Sequence, residues 1–206
     1  MSQIKLTYFD FGVRADAVRI CLTMAGVDFE DERVAFPKLA ELKEAGVLPL
    51  GQLPVLEIDG VKFTQYNAMS RYAATLAGIY PEDPVQRLKM EEMIEVCTEL
   101  LYKVPFAAKD EEEKKALREQ FASTKMATWF AFLDKRIGEN TGDWAVGETF
   151  TLADLSIMIL CDFLKSGFID YINVNFHEDY PNVKALYESV KAYEPVAKYY
   201  ASQQKK

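Results

Sequence analysis

The chain has 206 residues, half of them apolar and 13% aromatic, with a formal net charge of −8. This is ample apolar material for a packed core and far from a disordered composition. The acidic balance disfavours nucleic acid and anionic membrane surfaces as partners. No apolar run approaches the roughly 20 residues a membrane-crossing helix needs, and the start MSQIKLTYF has no apolar signal region, so a cytoplasmic protein with no membrane partner is expected. Cys21, Cys97 and Cys161 each sit in an apolar helical pattern without metal-ligand spacing. They read as buried, reduced thiols, and no metal requirement is expected.

In chain order, Ile4, Leu6 and Tyr8 alternate with Lys5 and Thr7, which predicts a strand over residues 3–8. Residues 14–25 have helical spacing and end at Gly26, placed where a helix commonly stops on glycine. A second strand over 28–34 and a brief helix over 38–45 follow. Pro54 then opens a strand, because a residue without an N–H is tolerated at a strand start or exposed edge. Asp59-Gly60 between residues 54–58 and 61–64 is a hairpin signal, since a type I′ turn needs φ > 0 at both central positions. A helix over 65–77 stops at Gly78.

The order β-α-β-α-β-β-α predicts a thioredoxin-like domain, with a right-handed crossover making the first two strands parallel and the hairpin adding an antiparallel edge. The segment GIYPEDP, with two prolines and no apolar period, reads as a linker. The expected organisation is a thioredoxin-like domain over 1–78, a linker over 79–84 and an all-helical domain over 85–206, α/β followed by all-α. Long helices are expected over 85–108 and 110–138, the second opening on the acidic run at 109–115, where the helix dipole favours anions. Phe150-Thr151-Leu152-Ala153-Asp154-Leu155 reads as a capping box with a hydrophobic staple, which serves folding rather than chemistry.

Three motifs in this order resemble the cytosolic glutathione transferases: LTYF followed by RADAVR, the Pro-Val-Leu strand with its Asp-Gly hairpin, and the Gln65-Tyr66 pair opening a helix. The register of Tyr8 and Arg14 is most similar to the tyrosine-type, sigma-like class. The Thr-x-x-Asp box at Thr151 extends the likeness into the helical half.

The resemblance implies a glutathione transferase, with glutathione as co-substrate, attacking small apolar electrophiles in a detoxification role. Tyr8 would be the catalytic hydroxyl, with Arg14 beside it. A free thiol has a pKa near ~8.5, and lowering it by about two units takes roughly 2.7 kcal/mol. One charge-assisted hydrogen bond from an un-ionised phenol, helped by a helix N-terminus, is of that order. Arg14 is expected to begin the first helix, where it opposes the dipole. Glutathione would also be held by Lys43, Gln52, Leu53 (through its backbone, before a cis Pro54), Gln65 and Tyr66. Glu99, last of the Glu91, Glu95, Glu99 stripe, would reach the partner subunit's glutathione in a homodimer. Phe11, Val13, Leu101 and Phe106 would wall the electrophile pocket. His177, in a polar FHEDYP loop, is given no role.

The chain departs from the family pattern at Tyr66, where serine is usual, and at Leu39, which occupies the register of a tryptophan. It also carries two extra residues between Lys43 and Gln52. The alternatives are a non-catalytic relative that binds ligands or serves a structural role, and a glutathione-dependent isomerase or peroxidase.

Overall fold

A computed structural model describes residues 2–203, and the chain divides into two compact units: Met1–Tyr80 with Lys198 onward, and Pro81–Ala197. From Lys198 the last helix thus groups with the first unit, whereas the sequence assigns all of 85–206 to the helical domain.

The first unit runs β1 (Ile4–Phe9), α1 (Asp16–Met24), β2 (Glu30–Val34), α2 (Lys38–Glu44), β3 (Val55–Ile58), β4 (Val61–Phe63) and α3 (Tyr66–Leu76). The four strands form one sheet in the order β2-β1-β3-β4. β1 runs parallel to β2 and antiparallel to β3, and β3 pairs antiparallel with β4. This is the thioredoxin-like mixed sheet, and its strict alternation buries Ile4, Leu6 and Tyr8 on one face of β1. Asp59 (φ 49°) and Gly60 (φ 83°) both take the left-handed conformation that the hairpin turn demands. The Asp59 carboxylate also accepts from the Gln3 N–H at 2.8 Å, which ties the turn to the chain start. α1 and α3 pack together, with Val18, Ile20, Cys21, Leu22, Met69 and Ala73 buried.

The second unit is all-helical: α4 (Pro84–Lys103), α5 (Glu111–Phe121), α6 (Ala127–Glu139), α7 (Leu152–Lys165), α8 (Pro181–Ala192) and the start of α9 (Glu194–Gln203). α7 is buried nearly all round and packs against α4 and α8, as a helix apolar on every side must. The capping box at its start is present. The Asp154 carboxylate accepts from the Thr151 N–H at 2.7 Å, from the Thr151 hydroxyl at 2.8 Å, and from the Ala145 N–H at 2.7 Å. The last of these bonds ties down the preceding loop, beyond what a cap requires.

Two expectations for this half are corrected. α4 ends at Lys103 instead of 108, because Val104 turns extended (φ −56°, ψ 126°) ahead of Pro105, and a residue before proline avoids the helical region. The helix expected over 110–138 is interrupted by a π-helical stretch at Ala122–Met126. There the Ser123 and Thr124 hydroxyls donate to carbonyls of Glu119 and Gln120 at 2.9 and 2.6 Å, competing with the regular ladder. Within the polar FHEDYP segment, His177 lies buried on a short 3-10 turn (Phe176–Asp179) against the Tyr187 ring, while Glu178 and Asp179 are exposed.

Among the described residues no helix is long and apolar enough to cross a membrane, and no group of His, Cys, Asp or Glu is arranged to hold a metal. The three cysteines are free and buried; burial pushes the Cys97 thiol up to about 12 and those of Cys21 and Cys161 well above their usual range.

Candidate active site

The site is built at the carboxyl end of β1. Tyr8 is the last inward residue of that strand and only 4% exposed. Burial pushes its phenol above the usual tyrosine range, while the Arg14 cation and the Arg14 backbone N–H, directed at the phenol oxygen, pull the other way. Burial wins. At neutral pH the hydroxyl keeps its proton and can donate a hydrogen bond. The Phe11 ring packs edge-on to Tyr8 at 5.7 Å and stacks with Phe9 at 5.2 Å, and Phe36 stacks on Phe9 at 4.4 Å. Phe11 and Phe36 leave much of this aromatic surface open to solvent.

The turn from β1 to α1 is held from beneath by Arg19, a fully buried cation in the middle of an apolar helix. It donates to the Phe9 carbonyl at 3.2 Å, the Phe11 carbonyl at 3.2 Å, Asp31 at 2.9 Å and Asp16 at 3.4 Å. Its guanidinium lies 5.8 Å from the Tyr8 ring centre. Asp31 also accepts from Arg33 at 2.8 Å, and Arg33 reaches Gln203 of α9 at 2.6 Å. A buried ion pair must satisfy its remaining donors to persist, and the two backbone carbonyls do this for Arg19. Nothing in the sequence pattern points to these partners directly. The signal for the network is a charged residue inside the apolar pattern Val18-Arg19-Ile20.

Arg14 does not begin α1. The helix starts at Asp16 after Ala15, and Arg14 lies in the preceding turn, so it is not the dipole-opposing first residue of α1 that the sequence predicts. Its guanidinium instead sits 5.9 Å from the centre of the Tyr66 ring, at the start of α3. Gln65 caps that helix in an unusual conformation (φ 72°, ψ 98°), and the Ser70 hydroxyl donates to the Tyr66 carbonyl at 2.8 Å. Tyr8, Phe11, Arg14 and Tyr66 are therefore brought together. Val13, between Phe11 and Arg14, has φ +96°.

Leu53 and Pro54 are buried at the entry to β3, joined by a cis peptide bond, while Gln52 is exposed. Lys43 is exposed in the last turn of α2, its side chain beside Gly51. The remaining named residues belong to the second unit. Glu99 is exposed on α4 and pairs with Lys103 at 2.9 Å. Leu101 is half-buried on α4, and the largely exposed Phe106 carries the Arg118 guanidinium 5.6 Å from its ring centre.

Two family models match the chain: the glutathione S-transferase N-terminal domain over residues 4–75 and the glutathione S-transferase C-terminal domain over residues 97–203. Glutathione S-transferase 3 of Caenorhabditis elegans is 32% identical over 163 residues, covering 76% of this chain and 78% of the relative. Hematopoietic prostaglandin D synthase of Gallus gallus is 27% identical over 197 residues, covering 96% of this chain and 94% of the relative. A solved structure of prostaglandin synthase D of Nilaparvata lugens is similar with a TM-score of 0.84 at 25% identity, covering 97% of each chain. With one model lying over the sheet that carries Tyr8 and the other spanning more than half of the chain, the protein belongs to the glutathione S-transferase family.

Proposed function

We propose that Tyr8 is the group by which this glutathione transferase lowers the thiol pKa of its co-substrate, and that the electrophiles it serves are small and apolar. The observation that carries the assignment is a buried phenol, kept in its protonated form at the end of β1, with the Arg14 cation beside it. A protonated donor favours the thiolate over the thiol, because a hydrogen bond to an anion is about twice as strong as one between neutral groups. The thiol proton leaves to solvent. The sulfur then bonds to the electrophilic carbon, and the leaving group departs with its electron pair.

Within the first unit, Arg14, Gln65 and the Tyr66 backbone N–H at the start of α3 suit the γ-glutamyl end of glutathione, since a helix N-terminus favours a carboxylate. Leu53 and Pro54 are assigned to its cysteinyl part, and Gln52 and Lys43 to the remainder. Phe11, 42% exposed and in contact with Tyr8, and Val13 give the electrophile an apolar surface in this unit. The class is read as sigma-like from the Tyr8–Arg14 register. A cytoplasmic homodimer with an isologous interface completes the reading, with Glu99 reaching the partner's glutathione.

The decisive test is Tyr8→Phe, assayed with glutathione and a chloronitrobenzene. The variant is expected to lose ~10²-fold or more in kcat/KM with little change in glutathione binding, because the lost bond strengthens as the thiolate forms. Unchanged turnover would remove Tyr8 from the mechanism.

A second reading, a glutathione-dependent isomerase, is favoured by the likeness to proteins named as prostaglandin D synthases. It shares Tyr8 and the thiolate. Turnover of a prostaglandin endoperoxide well above that of the chloronitrobenzene would select it.

A further inference from the structure

The turn between β1 and α1 carries Val13 at φ +96°, a conformation that a β-branched residue avoids. Such an outlier persists only where its surroundings hold it, and it marks places where geometry serves function. Its surroundings here are specific. The Val13 backbone N–H faces the carboxylate of Asp16, which is buried and hydrogen-bonded to Arg19 at 3.4 Å. Arg19 in turn holds the carbonyls on the other side of the turn, at Phe9 and Phe11. A Cβ at Gly12 would overlap the Asp16 carboxylate, so the turn is closed tightly around that group. The residue that follows Val13 is Arg14, whose backbone N–H is directed at the Tyr8 oxygen.

We propose that Asp16 is a positioning residue for thiol activation: by holding Val13 in its strained conformation, it aims the Arg14 backbone N–H at the Tyr8 hydroxyl and so sets that hydroxyl's direction and donor strength. The proposal rests on the assignment of Tyr8 as the activating donor. A phenol that accepts a backbone N–H is fixed in direction, with its own proton turned outward for a thiolate. It is also a better donor, because the accepted bond polarises the O–H. Asp16 acts through Val13 and Arg14, and no contact between Asp16 and glutathione is required.

The test compares wild type, Asp16→Asn, Asp16→Ala and the double variant Asp16→Ala with Val13→Gly. The readouts are the thiolate absorbance of bound glutathione against pH, the Kd for glutathione, and Tm. Asp16→Ala is expected to raise the thiol pKa in the complex by about one unit, from about 6.5 to about 7.5, which lowers the thiolate fraction at neutral pH about threefold. Binding should change less than about threefold. Asp16→Asn keeps an acceptor and should fall between the two. Glycine adopts positive φ without a steric penalty, so Val13→Gly should bring the thiol pKa of the Asp16→Ala protein back toward the wild-type value. A merely structural role lowers Tm in the Asp16 variants and leaves the thiol pKa where it is; that result overturns the proposal, as does a double variant that recovers nothing. A wild-type complex without thiolate at neutral pH overturns the Tyr8 assignment and this proposal together. Thiolate in wild type that is lost in Tyr8→Phe but unchanged in Asp16→Ala overturns this proposal alone.

Discussion

Removing the Asp154 carboxylate discriminates between a simple helix cap and a clamp on the loop before α7. Asp154 is fully buried and accepts three short bonds, from Ala145 N–H, Thr151 N–H and the Thr151 hydroxyl. Burial pushes its own pKa up against those donors. Loss of a cap alone costs about 1 kcal/mol. In Asp154→Ala two buried backbone donors lose their acceptor, at about 1–3 kcal/mol each, so a loss of about 4 kcal/mol is expected. Trp144 reports on the clamped loop, because its ring packs against Phe150 at 5.0 Å and Tyr193 at 5.2 Å. With a urea slope of about 1–3 kcal/mol per molar, the fluorescence midpoint should fall by more than about 1 M. A loss near 1 kcal/mol, with the Trp144 signal melting together with the rest, would refute the clamp and leave only the cap.

Three further outcomes follow from the site and its surroundings. Tyr66→Ser should tighten glutathione binding by about tenfold in calorimetric titration, since a hydroxyl bond to a carboxylate is worth about 1.5–3 kcal/mol; weaker binding would mean that the Tyr66 ring, with Arg14 over it, already serves the ligand. Glu99→Ala should weaken glutathione binding while sedimentation still shows a dimer, and equal binding by a demonstrably monomeric form would end its cross-subunit role. Burial pushes the His177 imidazole below its usual range, with Lys165 and Lys184 acting in the same direction and Glu178 and Asp162 opposing. Its folded pKa is depressed, so the unfolded chain binds more protons. The stability tied to a neutral His177 is therefore intact above the unfolded value of about 6.5 and lost as pH falls below it. The difference in Tm between wild type and His177→Phe should thus shrink from pH 7 to pH 5, and a constant difference would contradict the burial argument.

The sheet order was legible because period-two alternation in Ile4–Tyr8 and the Asp59-Gly60 turn are local signals that tertiary packing reinforced. The family motifs placed Tyr8, Arg14 and Tyr66, and the structure puts those three side by side. Helix ends were less legible where a single residue decides: Val104 yields to Pro105, and Ser123 and Thr124 bond backwards inside what the pattern reads as one helix. Helical spacing over 14–25 puts Arg14 on α1, whereas the helix begins at Asp16, whose carboxylate is engaged by Arg19. The Arg19 network was not legible, because a buried cation is specified by partners remote in sequence, here Asp31 and the carbonyls of Phe9 and Phe11.

Three places where local rules fail lie around one point, the end of β1. Among the described residues, Val13, Gln65 and, in the second unit, Tyr171 (φ +62°) take positive φ without the hairpin that accommodates Asp59, and the first two belong to the site. Val13 and Gln65 stand immediately before Arg14 and Tyr66, whose side chains meet near Tyr8. A third violation, the buried Arg19, lies under the same turn. Each costs stability that a sequence selected for folding alone would recover by placing glycine at Val13 or an apolar residue at Arg19. Their coincidence at the end of β1 is the physical argument that this turn is built for chemistry. It stands apart from any likeness to other proteins, because it rests on backbone conformation and burial and would hold for a chain with no relatives.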